Sequence, residues 1–78
     1  MSRATIQDWT TSSVLLKFEK HRDVRYQVFR DNGTNFLEIR EPDDDSHIHT
    51  LELPEGMKLE RSSYEVLLRY VLLDVVAA

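Results

Sequence analysis

His47 and His49 stand two residues apart, and they are the first side chains in this sequence with the means to do chemistry. On a strand that spacing sends both imidazoles to one face, as a strand would offer two nitrogens to a metal, with Asp43, Asp44 and Asp45 nearby as carboxylate donors. No third ligand stands at a fixed spacing, and with no cysteine there is no thiolate. The expectation is therefore no metal site, with one histidine packed at a sheet edge and the other in solvent. Nucleophilic catalysis is no better provided for. Ser62 and Ser63 fall where a helix begins, and no Gly-x-Ser-x-Gly elbow is present. The only two glycines sit in turns, which leaves no phosphate-cradling loop. The chain reads as a protein that is not an enzyme and carries no cofactor.

Two constellations suit binding instead. Asp43-Asp44-Asp45 is a short row of negative charge that could imitate phosphates and occupy the nucleic-acid groove of another protein, as small acidic inhibitors of the phage type would. Its plainer reading is a solvated acidic turn. The second constellation is a set of apolar and basic side chains, Leu15, Lys17, Arg25, Phe29, Phe36 and Arg40, expected to gather on one sheet face. Aromatic rings among Arg and Lys suit base stacking with phosphate contact, and they equally suit a protein partner, for which aromatic and Arg residues are the usual anchors. The competing structural reading is that Ile6 and Trp9 fold over the two phenylalanines and make a second small core.

The elements that must position these residues follow from turn chemistry and alternation. Asp31-Asn32-Gly33-Thr34 predicts a type I′ hairpin, because Asn and Gly accept the positive φ of both central positions. That turn sets Phe29 against Phe36, Val28 against Leu37, Gln27 against Glu38, Tyr26 against Ile39 and Arg25 against Arg40. One face then carries Val24, Tyr26, Val28, Leu37 and Ile39 as core, and the other carries Arg25, Gln27, Phe29, Phe36, Glu38 and Arg40. Upstream, alternation from Val14 to Lys20 predicts a first strand joined by a three-residue loop at His21-Arg22-Asp23. Phe18 would then pair with Tyr26, Leu16 with Val28 and Leu15 with Phe29. Downstream, Glu41 to Ser46 reads as a turn, and His47 to Leu53 as a fourth strand with Leu51 and His49 beside Leu37 and Ile39. Residues 1–12 are polar and weakly patterned, and form an N-terminal segment that is either flexible or packed on the sheet.

Pro54-Glu55-Gly56 ends the sheet, and Ser62 with Glu65 makes a capping-box pattern ahead of a helix over about 63–76. Tyr64, Leu67, Leu68, Val71 and Val75 form the centre of its apolar stripe. Val66, Tyr70 and Leu73 lie on a second apolar flank that one sheet leaves uncovered, so they are the expected interface of a homodimer.

The order of four strands and then an over-apolar helix resembles the positive-cofactor family of single-stranded-DNA-binding transcription proteins. Leu37-Glu38-Ile39-Arg40-Glu41 and the step from Leu51-Glu52-Leu53 into the helix carry the likeness, over about residues 24–76. The resemblance implies a dimer made through the helix and a sheet face that binds single strands. Asp43 to Asp45 stand where that family carries a basic, glycine-containing loop.

Length and charge bound the rest. Seventy-eight residues make one domain, small enough to be marginal without a staple or a partner chain. The net charge is −4, with residues 1–39 at +1 and residues 40–78 at −5, which disfavours nucleic acid as the main partner and confines any such surface to the first half. With no apolar leader and no apolar run of membrane-spanning length, the expectation is a cytoplasmic protein with no membrane contact. The architecture expected is α+β: a four-stranded antiparallel meander with one C-terminal helix packed on one face. The expected function is protein–protein interaction as a homodimer. The alternatives are single-stranded nucleic-acid binding on the aromatic-basic face and inhibition of a nucleic-acid-binding protein by the acidic loop.

Overall fold

The computed structural model describes residues 3–77. Strands β1 (Arg3–Leu15), β2 (His21–Asp31), β3 (Thr34–Arg40) and β4 (His47–Glu52) form one antiparallel sheet in the order β1-β2-β3-β4, and a single helix, α1 (Arg61–Ala77), follows. This is the α+β meander with a C-terminal helix that the pattern of residues called for.

The β2–β3 hairpin has every facing pair expected of it, from Asp31 opposite Thr34 to Arg25 opposite Arg40. Asn32 at φ 51° and Gly33 at φ 79° supply the two left-handed residues that a type I′ turn needs. Across β3 and β4, Leu37 opposes Leu51 and Ile39 opposes His49, again as expected. The loop between them is closed by Glu41 N–H donating to the Ser46 carbonyl at 2.8 Å and by Asp45 N–H donating to the Glu41 carbonyl at 3.2 Å. A register irregularity between Ile39 and Arg40 takes up the extra residue, which lets a six-residue loop keep Leu51 on the core face.

The first strand differs from the expectation. It ends at Leu15 and begins at Arg3, so the segment read as unpatterned is an edge strand. Leu15 opposes His21 rather than Phe29, and Thr10, not Phe18, opposes Tyr26. The expected loop at His21-Arg22-Asp23 is part of β2, and the chain turns earlier, through a single 3₁₀ turn at Lys17–Glu19 closed by Leu16 N–H donating to the Lys20 carbonyl at 2.6 Å. Two register shifts, between Thr5 and Gln7 and between Gln7 and Thr10, explain why alternation does not reveal this strand. Each shift breaks the period of two. Arg3 and Thr5 therefore oppose Asp31 and Phe29 on the outer face, whereas Thr10 and Ser12 oppose Tyr26 and Val24 on the helix side.

Between sheet and helix lies the core: Val14, Val24, Tyr26, Val28, Leu37, Ile39 and Leu53 from the strands and their flanks, and Tyr64, Leu68 and Leu72 from α1. Tyr26 and Tyr64 meet edge to face, 6.1 Å between ring centroids. The helix begins earlier than its serine pair implies. The Glu60 carbonyl accepts from Ser63 N–H at 3.1 Å and from Tyr64 N–H at 3.2 Å, which makes Glu60 the N-cap. Ser62 Oγ contacts the Glu60 carboxylate at 3.3 Å, so no capping box forms with Glu65. Leu67, Leu68, Val71 and Tyr64 pack inward as the stripe predicted, Leu72 joins them, and Val75 lies outside the residues whose side chains are described. No helix among the described residues is long and apolar enough to cross a membrane.

Candidate interaction surfaces

The outer sheet face is a closed polar layer. Phe29 and Phe36 stack with centroids 5.5 Å apart, and Phe29 is only 7% exposed, because the Arg3 guanidinium lies 3.7 Å above its ring. Arg3 also donates to Gln27 Oε1 at 3.0 Å and pairs with Glu38 Oε1 at 3.5 Å. The other oxygen of Glu38 takes Arg40, at 2.8 Å. Arg40 donates further to the Asp45 carbonyl at 2.8 Å, and the Asp45 carboxylate takes Arg25 at 2.9 Å. Trp9 completes the layer, with Arg25 at 5.2 Å and Arg40 at 5.8 Å from its ring centroid. Each of the three arginines is thus matched to a carboxylate and laid against an aromatic ring.

Of the six residues expected to gather on this face, Arg25, Phe29, Phe36 and Arg40 do so. Leu15 is on the same side of the sheet but opposite His21 at the far end of β1, away from the phenylalanines, and Lys17 lies beyond the strand in the turn that follows. Trp9, expected with Ile6 as a cover over the phenylalanines, is on this face but lies by Arg25 and Arg40, and Ile6 is exposed. The cover over Phe29 is Arg3, which stands opposite Asp31 and which the sequence reading did not single out.

Asp43, Asp44 and Asp45 lie together in the β3–β4 loop, but they are not equivalent. Asp45, at φ 62°, is tied to Arg25, and Asp44 accepts Ser46 N–H at 3.0 Å. Hydrogen bonds from Ser46 hold the Asp44 carboxyl below the usual carboxylate range. These are the bonds of a turn. His47 and His49, expected on one face, are separated by the register shift: His47 opposes Arg40 and His49 opposes Ile39, neighbours that point to opposite sides of β3. His47 Nε2 instead meets Thr50 Oγ1 at 2.7 Å. Among the described residues no three His, Asp or Glu side chains gather as a metal would require.

The flank of α1 facing away from the sheet is apolar and open. Tyr70 is 70% exposed and Val66 56%, with Leu73 half-buried between them. With Arg69 they line a groove of about 180 Å³, and Asp74 borders the adjoining hollow beside Tyr70 and Leu73. The Arg69 guanidinium donates to the Leu15 carbonyl at 3.0 Å, which fixes this flank next to the end of β1.

Phe18 is the exposed residue that the sequence reading misplaced. Expected in the core opposite Tyr26, it stands at the tip of the β1–β2 turn, 91% exposed, at φ 59°. Comparison with protein-family models, with curated proteins and with solved structures yields no match for this chain.

Proposed function

We propose that this chain is a small non-enzymatic protein that works by protein–protein association, and that it does so as a homodimer in the cytoplasm, paired through Val66, Tyr70 and Leu73. The observation that carries the reading is a helix apolar on both sides, buried through Tyr64, Leu68 and Leu72 and open through Val66 and Tyr70. A helix whose apolar surface is wider than the sheet can cover calls for a second covering surface on its open flank. The covering surface must be apolar as well, and a second copy presents the same stripe to itself about a two-fold axis.

Single-strand binding on the outer face has Trp9 and its two flanking arginines in its favour. Against it, Glu38 and Asp45 already occupy the cations that phosphates would need. Inhibition through the acidic loop has less behind it, since two of its three aspartates are engaged within the turn or on the sheet. Sedimentation equilibrium at micromolar concentration tests the preferred reading: a dimer is expected, and Tyr70→Glu should give a folded monomer, because it would bury a charge in the interface. A single species near 9 kDa for the unaltered chain would overturn it. Titration with oligonucleotides at two salt concentrations tests the other reading, which requires binding that weakens steeply with salt.

A further inference from the structure

The chain places four other residues at positive φ, and each is of a type that accepts it: Asn32 at 51°, Asp45 at 62°, Gly33 at 79° and Gly56 at 80°. The turn between β1 and β2 is the exception. Phe18 and Glu19 both sit at φ 59°, a conformation that costs a bulky L-residue energy which Gly or Asn would not incur. Phe18 gains no burial in return, since it is 91% exposed. A strained backbone that presents an aromatic ring wholly to water is unfavourable for folding on both counts. Strain combined with exposure of this kind is what a ring held out for contact beyond its own fold would show.

The molecule carries a surface of matching kind. The groove lined by Val66, Arg69, Tyr70 and Leu73 has a volume of about 180 Å³, where about 150 Å³ is enough to hold a benzene-sized ring. Lys17, Glu19 and Lys20 surround Phe18 and leave its turn one positive charge in excess, and Asp74 lines the hollow that adjoins the groove. None of these four charges belongs to an ion pair among the described residues. Arg69, which lines the groove, also holds the carbonyl of Leu15, three residues before Phe18. Ring and groove therefore lie on neighbouring parts of the same surface, as reciprocal exchange about a two-fold axis needs.

We propose that Phe18 of one copy seats in the α1 groove of a second copy, with Lys17 and Lys20 facing Asp74 of that copy, and that the exchange is reciprocal. This rests on the homodimer reading and adds to it the residue that fills the flank. The turn then has its reason: the left-handed backbone holds the ring out in the conformation in which it docks, so little freedom is lost on association.

Sedimentation velocity on the full chain, with circular dichroism to follow folding, tests the proposal. Phe18→Asn keeps a residue that tolerates positive φ and removes the ring. It should leave the fold intact or more stable while weakening the dimer about tenfold or more, the size of effect an anchoring residue carries. Asp74→Lys should weaken the dimer too, and adding Lys17→Glu and Lys20→Glu to it should restore part of the loss. A dimer that Tyr70→Glu breaks but Phe18→Asn leaves unchanged would overturn the docking of Phe18 and keep the homodimer. An unaltered chain that stays monomeric would overturn both. Loss of fold in Phe18→Asn would show the ring packing within its own chain and would also overturn the proposal.

Discussion

Replacing Gly33 with Val tests chiefly the conformational part of hairpin stability, because a Cβ built at Gly33 meets no atom of the rest of the fold within 4 Å. What remains is the backbone, held at φ 79°. Placing an L-residue in that region costs ~1–2 kcal/mol, and Val loses more than most because its branched carbon crowds the carbonyl. Against this, the unfolded chain becomes stiffer, which returns ~0.4–1 kcal/mol. The net expectation is a loss of about 1 kcal/mol, and in a domain of this size that lowers the melting midpoint by about 4–8 °C. Circular dichroism melts at one fixed protein concentration measure it, since a dimer's midpoint moves with concentration. Gly33→Asn is the control. Asn accepts positive φ, so it should recover most of the loss; if Asn lowers the midpoint as far as Val does, the cost does not come from φ, and the conformational argument for this turn fails.

Two further expectations bear on the two faces of the sheet. Phe29→Ala should cost about 3 kcal/mol in urea unfolding, because the ring is buried under Arg3 and against Phe36, while an unchanged midpoint would mean that the face is an open platform after all. Tyr26→Phe should be close to neutral at about pH 7, since the buried hydroxyl finds no hydrogen-bond partner among the described residues. Burial raises the pKa of Tyr26, and of Tyr64, above the usual tyrosine value of about 10, so the folded chain keeps protons that the unfolded chain gives up. That contribution is complete below pH ~10 and is lost as pH climbs through and past it, and Tyr26→Phe should flatten the alkaline loss in urea titrations.

How much of this could be read in advance differed from strand to strand. The β2–β3 register was legible because one dipeptide, Asn32-Gly33, fixes a turn type, and a turn type fixes every pair beyond it. The β3–β4 register was legible because Leu51 has to meet Leu37. The bulge that makes this possible was not, and the pairing of His47 with His49 on one face was lost to it. β1 hid for a related reason. An edge strand has one neighbour and tolerates Thr, Ser and Gln along its length, and its two register shifts erase the alternation by which strands announce themselves. Once β1 moved, Leu15 shifted to the far end of this face, Lys17 left it for the turn, Arg3 came to cover Phe29, and Trp9 came to lie by Arg25 and Arg40. Neither arginine stacking nor the matching of each guanidinium to a carboxylate is a property of spacing along a chain. They depend on which strands are neighbours.

The contacts between Arg69 and Leu15 and between Arg61 and Thr10 span 54 and 51 residues, while every strand pairs only with the strand next to it in sequence. The sheet therefore assembles by closing short loops, whose entropy cost is small, and helix docking is the one long closure the chain has to make. Its sequence separation predicts that it comes last, and that the Thr10–Leu15 part of β1 is tied to α1. Early loss of amide protection at Ser12 and Val14 should then accompany loss along α1 rather than loss in the β2–β3 hairpin.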